Sequence, residues 1–348
     1  MGSYPKTNSY CWATLITKST YLPGAIILAH SLDQQKSQFP LVVQYTASLG
    51  EDSIAALEAE AKRSGRIIPQ EVELLIPRTG QENTGSIVAE RFKDTFTKLR
   101  VFQLYEHGYT KVCFLDADMA VFHNPDVIFD LELPGKDWLG ATHACVCNLD
   151  SDKWAPSNWL KGNCAFTTID DPSQTVGDIS PDARPTYKLL NGGTLLFHPS
   201  EELWKCMLDT FNTTSKLKTY QFPDQDFLAD FFLGKWKPIS WKFNALKTMR
   251  YWHPRMWSDE IVVVVHFIVD KPWERRVSDD GIAGHLGRDG EMHRWWWSVY
   301  DDWIGNLGDE GKEVFETMNK LVGKEAPFTE VVPLGQEPGR VEDVHPYP

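Results

Sequence analysis

The 348-residue chain has no apolar run of the length a membrane span needs, about 18 to 20 residues. Its longest candidate, Ile261–Val265, reads as a strand. It has no basic-then-apolar leader at the N-terminus, so a cytoplasmic protein is expected. Positive charge is scarce: 35 Lys and Arg stand against 48 Asp and Glu, a net charge of -13. That balance excludes the electrostatic attraction on which nucleic-acid and anionic-membrane binding depend, and a nucleotide ligand would need a local remedy such as a metal ion. Cysteine is also sparse. Cys11, Cys113, Cys145, Cys147, Cys164 and Cys206 contain no Cys-x-x-Cys pair and no disulfide-dense spacing, which reads as reduced, structural thiols. There is no internal repeat and no low-complexity block.

What remains is a chain able to bury a substantial core. Its organising stretch is Lys111–Asp126, KVCFLDADMAVFHNPD. The apolar Val112–Leu115 has the composition of a buried strand, and Asp116 and Asp118 stand where the burial stops. At i and i+2 of a strand the two carboxylates would project together from the carboxyl end, where open α/β sheets hold ligands. Two hard oxygen donors at that spacing suit Mn²⁺ or Mg²⁺. The chain also contains Asp150-x-Asp152 and Asp224-x-Asp226, so the bare pattern arises readily in so acidic a protein.

Around this stretch the pattern predicts strands at Tyr10–Ile16, Pro40–Thr46 and Val72–Ile76. Helices are predicted from Pro23-Gly24 to Leu32 and over Ser53–Arg63, the second capped by Asp52 and stopped by Gly65. This alternation yields a parallel, doubly wound sheet. A polar loop, Arg78–Ser86, leads to a helix over Thr95–His107. Trp138–Thr142 is a short strand, Cys145–Arg184 a long aperiodic segment of the kind that serves as a functional loop, and Leu189–Phe197 a strand. Helices Glu201–Phe211 and Asp224–Leu233, strands near Pro238–Trp241 and Ile261–Phe267, and helices from Met292 to about Ile304 and over Lys312–Val322 complete the pattern. The tail from Glu325 is proline-containing and expected to be extended.

Three further constellations carry chemistry. His266 ends a β-branched run, so its imidazole could join the aspartates at one edge of one sheet, and Lys271 could place an ammonium on a diphosphate. Its plain alternative is a satisfied core histidine. Asn191-Gly192-Gly193 inside a strand pattern suggests a bulge or a close backbone approach, with Asn191 offering donor and acceptor to a hydroxylated substrate. Asp224, at a helix start, either caps that helix or faces the sheet edge to meet sugar hydroxyls or a developing positive charge.

Taken in order, ATLITKSTYLPGAIILAHSL, FTKLRVF, KVCFLDADMAVF, LLNGGTLLFHPS, FPDQDFLADFF, KFNALKTMRYWHP and VVVVHFIVDKPW resemble glycosyltransferase family 8, over roughly Tyr10–Asp302. The MRYWHP and RWWWSVYDDW stretches lean toward its galactinol synthase branch rather than its glycogenin branch. The resemblance implies an α/β protein of GT-A type: a Rossmann-like open mixed sheet flanked by helices, over residues 1–275, with a C-terminal helical extension over 276–324 and a tail over 325–348. It implies a retaining hexosyltransferase, with a UDP-sugar donor, Mn²⁺ (or Mg²⁺) and a small hydroxylated acceptor such as a polyol. Asp116, Asp118 and His266 would hold the metal. Leu15, Thr17 and Tyr21 would line the uridine pocket. Arg91, Lys98, Ala117 and Lys271 would complete donor binding, and Asn191, Gly192, Gly193, Asp224 and Gln225 would hold the transferred hexose, with Asp224, Asn191 and Gln225 closest to catalysis. Val269 stands where the family usually has glycine, and Lys271 stands five residues after His266 rather than six. Trp295, Trp296 and Trp297 offer a sugar platform or core packing. The competing readings are a glycogenin-like self-glucosylating protein, a phosphatase of the haloacid dehalogenase type and a silent sugar-nucleotide binder. A homodimer is an open option.

Overall fold

The computed structural model describes residues 9–77, 94–180 and 182–323. Arg91, the polar loop Arg78–Ser86 and the tail from Glu325 lie outside the described residues. Seven strands form one sheet in the order β3-β2-β1-β4-β7-β6-β8. They are β1 (Tyr10–Ile16), β2 (Leu41–Tyr45), β3 (Ile67–Glu71), β4 (Lys111–Leu115), β6 (Leu139–His143), β7 (Leu190–Phe197) and β8 (Trp236–Pro238). β1 to β4 run parallel, and β7 is antiparallel to both of its neighbours. The sheet is therefore mixed and open, as expected. A second sheet joins β5 (Met119–Val121), β9 (Ala245–Leu246) and β10 (Val264–His266), with β10 in the middle.

The apolar runs explain the layers. β1, β2 and β4 are buried almost throughout, as strands covered by helices on both faces must be. One core cluster gathers the helix Leu22–Gln34 with the tryptophan-rich helix Gly290–Gly305, and the other gathers the helix Thr95–His107 with Glu201–Thr213 and Pro223–Phe231. Trp296 and Trp303 are fully buried and Trp297 nearly so, whereas Trp295 packs edge-on against Phe122 and donates its indole N–H to Glu291. The triple tryptophan is thus mostly core. Lys247 and Asp289, both shielded completely, pair at 2.8 Å and fasten the start of that helix to the segment after β9.

Three local expectations are corrected. The third strand is Ile67–Glu71, not Val72–Ile76: an edge position tolerates Pro69, and Leu74 and Ile76 are exposed. The helix Glu51–Ser64 takes Gly50 at its N-cap, so Asp52 sits inside the first turn, while Gly65 ends it in the left-handed region as expected. Thr95–His107 winds with 3₁₀ bonding and ends at Gly108. The long segment from Ala144 to Leu189 has no strand or α-helix among its described residues.

Gly24 lies where the helix Leu22–Gln34 meets the turn after β4. A Cβ there would stand 2.2 Å from the carbonyl oxygen of Ala117 and 2.8 Å from the Trp273 ring. Neither the backbone carbonyl nor the buried indole can step aside freely. Gly24→Ala is expected to cost about 1–3 kcal/mol in a urea melt, and an unchanged midpoint would show that the contact yields.

Candidate active site

Asp116 and Asp118 do not sit on β4. The strand stops at Leu115, and both aspartates belong to the turn joining it to β5. The turn brings them together, in place of the i, i+2 alternation of a strand. Nor do they share a sheet with His266, which ends β10 of the smaller sheet. Convergence comes through β5, whose Met119 pairs with His266, and through Phe267, whose N–H bonds to the Asp118 carbonyl at 2.9 Å. The result is the expected trio. His266 Nε2 stands 3.3 Å from Asp118 Oδ1 and 3.8 Å from Asp116 Oδ2. One ligand atom from each of the three lies within 4.8 Å of the other two, close enough to share one metal ion.

The state of the imidazole is fixed from behind. Asn244 donates its amide to Asn191 Oδ1 and to Thr142 Oγ1, both at 2.7 Å, so its Oδ1 must accept from His266 Nδ1 at 2.8 Å. A ring that donates at Nδ1 presents a lone pair at Nε2, and that nitrogen, like Asp116 Oδ2, is buried without a hydrogen-bond partner. The arrangement rejects the reading of His266 as a satisfied core histidine. Gly193 makes room for it, since a Cβ there would lie 2.6 Å from the ring. Between Ala141 and Thr142 of β6 the register jumps from Leu195 to Asn191 of β7, so Gly192, Gly193 and Thr194 form the bulge that paired glycines implied.

Lys98, from the helix Thr95–His107, ties the second half of the site to the first. Its ammonium is 2.9 Å from Asp116 and 2.6 Å from Asp224. Asp224 makes no cap to its helix. Asp226, inside the first turn, instead folds back to accept the N–H groups of Gln221 and Phe222 just before the helix, at 2.8 and 2.9 Å, and burial raises its pKa to about 6. Gln225 Oε1 accepts from Gly192 N–H at 3.1 Å, and Asn191 Oδ1 from Gly193 N–H at 2.9 Å. Lys271 bonds to Asp118 at 2.5 Å, and its ammonium lies 5.7 Å from the centre of the Tyr21 ring.

These charges are all shielded and do not balance: three carboxylates, Asp116, Asp118 and Asp224, face two ammoniums. Burial pushes the Asp116 carboxyl up against the pull of Lys98. Burial acts on Asp118 too, but the ammonium of Lys271 outweighs it and holds that carboxyl well down. Both lysines stay firmly protonated, because their carboxylate partners overcome the burial that would discharge them. A further cation would complete the cluster, and the orphaned oxygen and nitrogen both face where it would sit.

Beside the cluster opens a cavity of about 350 Å³, lined by Leu15, Thr17, Tyr21, Lys98, Asp116, Ala117, Asp118, Lys271 and Trp273, among others. Asn191, Gly192, Gly193, Asp224, Gln225 and His266 lie behind that lining. Asn244, absent from the sequence-derived set, stands in the KFNALKTMRYWHP stretch, and its signal was a lone amide amid residues of buried character. Asp279, Asp280, Asp301 and Asp302 are exposed and lie away from the cluster, as a haloacid dehalogenase's paired acids would not.

The family model described as glycosyl transferase family 8 matches residues 13–276. The chain belongs to glycosyl transferase family 8. It is 27% identical over 303 residues to galactinol synthase 7 of Arabidopsis thaliana, covering 86% of this chain and 83% of that one. Galactinol synthase 1 of Solanum lycopersicum is 28% identical over 307 residues, with 87% and 85% covered. Among solved structures the fold matches the galactosyltransferase LgtC with donor and acceptor sugar analogs, at a TM-score of 0.51 and 17% identity over 84% of this chain and 99% of that one. It also matches the glycosyltransferase GlyE of Streptococcus pneumoniae, at 0.52 and 15% over 92% and 66%. This family 8 protein is an enzyme of sugar transfer, which removes the phosphatase reading. No helix among its described residues is long and apolar enough to cross a membrane.

Val269, on the cavity wall, has φ +67°. A β-branched residue is rarely found there, and glycine is the residue that takes such a backbone without strain. Val269→Gly is expected to relieve about 0.5–1 kcal/mol after the entropy glycine brings to the unfolded chain. Calorimetry should show the melting temperature rising by about 1–2 °C, and a fall would mean that Val269 packing outweighs its strain.

Proposed function

We propose that the protein transfers a hexose from a UDP-sugar to a small hydroxylated acceptor of the polyol class, with retention at the anomeric carbon. The observation that carries this reading is the Nε2 lone pair of His266, locked by Asn244 and aimed at two carboxylates on the rim of a nucleotide-sized cavity. Asp116, Asp118 and His266 would hold Mn²⁺ or Mg²⁺, the carboxylate oxygens suiting either and the imidazole favouring the transition metal, Mn²⁺. When bound, the ion supplies Lewis-acid stabilisation for the diphosphate leaving group.

The chain's own groups do the rest. Tyr21 offers a ring for the uracil to stack on, with Leu15 and Thr17 on the same wall, and Ala117 presents the turn between the aspartates. Lys271 stands at the phosphate end. Lys98 holds Asp224 at the hexose end, where the carboxylate favours positive charge at the anomeric carbon. The side-chain oxygens of Asn191 and Gln225 are committed to the bulge, so their amide N–H groups are the ones left to meet hexose hydroxyls. Asp224 is 1% exposed and paired with Lys98, which favours attack from the leaving-group face over a nucleophilic Asp224. A glycosyl group trapped on Asp224 would reverse that order. Both galactinol synthase relatives cover most of the chain, and their name favours a galactose donor and an inositol-like acceptor over self-glucosylation.

The direct test measures UDP release from UDP-galactose, UDP-glucose and UDP-N-acetylglucosamine with Mn²⁺, with and without myo-inositol. Turnover of a hexose donor that rises with the polyol is expected; tight UDP binding without turnover would favour a silent binder. Asn244→Ala should weaken Mn²⁺ binding by about 10–100-fold in a direct titration, while the thermal midpoint falls only modestly. Unchanged Mn²⁺ affinity would remove the imidazole from the metal site.

A further inference from the structure

Away from the sugar-transfer site, the aperiodic segment after β6 brings three thiols to one imidazole. Cys145 Sγ and Cys147 Sγ stand 3.3 and 3.2 Å from His253 Nε2, Cys164 Sγ stands 3.8 Å from it, and Cys145 and Cys164 are 3.9 Å apart. All four ligand atoms lie within 4.8 Å of one another, and none of the residues is more than 5% exposed. We propose that Cys145, Cys147, Cys164 and His253 form a structural zinc site.

The spacing is that of one ion's coordination shell. With Zn–S near 2.3 Å and Zn–N near 2.0 Å, a tetrahedron sets sulfurs about 3.8 Å apart and sulfur from nitrogen about 3.5 Å. Hydrogen bonding accounts for the cluster poorly. An imidazole nitrogen has one lone pair or one proton, and three sulfurs converge on it. All three cysteines are free thiols, so no disulfide explains their meeting. An iron–sulfur cluster spreads its cysteines over several irons, which this compact group does not allow. Soft thiolates with one imidazole select zinc, and four protein ligands leave no open position, as in structural sites. Three thiolates on Zn²⁺ carry one net negative charge, and Lys161 and Arg255 line the small cleft beside the cluster.

The position gives the site a purpose. It staples the start of a segment without strands or α-helices among its described residues to the turn following the helix Met249–Trp252. Trp154 and Trp159 of the stapled segment pack on Phe222, the residue before the helix that carries Asp224. The spacing Cys-x-Cys, then a cysteine seventeen residues beyond Cys147, then a distant histidine, matches no common zinc pattern, so the sequence read as plain structural thiols.

The test uses the full chain, purified without added metal and without a histidine tag. Elemental analysis should find about one zinc per chain, both in the wild type and in the Asp116→Asn/Asp118→Asn variant. Cys164→Ser should lower it at least about tenfold. Because that variant could misfold, wild-type protein produced with Co²⁺ gives a second readout: intense tetrahedral visible bands with sulfur-to-cobalt charge transfer, kept in the aspartate variant. Zinc below about a tenth of an equivalent, zinc lost with the aspartates, iron in its place, or a Cys145–Cys164 disulfide in the mass spectrum would each overturn the assignment.

Discussion

The site depends on a single ammonium. Lys98 lies almost entirely out of water between Asp116 and Asp224, which come from opposite ends of the chain's active region. Two carboxylates could not share that space uncompensated, since each would shed its proton only against burial and the other's charge. By bridging them, Lys98 sets the distance between the turn after β4 and the helix that carries Asp224. Charge balance is then left short by one cation, and the shortfall is aimed at the cavity.

Two glycines set how closely that cluster is built. Gly24 lets a helix settle on the carbonyl between the aspartates, and Gly193 lets a strand bulge settle against the imidazole. Neither needs an unusual φ. Both are required by proximity, and both position the Asp116, Asp118 and His266 trio from outside it. Asn244 completes the same support by choosing the tautomer.

Much of this was legible in the sequence. Buried strands wrote themselves as apolar runs, and β1 was read to the residue because nothing polar interrupts it before Thr17 except Thr14. The aspartates, His266 and the bulge were recognisable because each interrupts or ends such a run, Lys271 because it follows one of them by a short turn, and Lys98 only through the family resemblance of FTKLRVF. What stayed hidden was tertiary. The strand β3 carries a proline that only its edge position excuses, and the two sheets look alike in one dimension. Asn244 matters through three partners from β6, β7 and β10, and the Cys145, Cys147, Cys164 and His253 group joins residues more than eighty positions apart. No local pattern encodes either meeting.

The wall of the donor cavity is finished late. Trp273 leans on Trp296, the Trp273 carbonyl accepts from Gly323 N–H at 2.8 Å, and Trp303 reaches back to Glu60 at 3.1 Å. A nascent chain emerging from the ribosome therefore carries Asp116, Asp118 and His266 before it carries the buttress behind them. Nucleotide affinity should switch on only with release of the last helices, which delays ligand-assisted folding until synthesis is nearly complete.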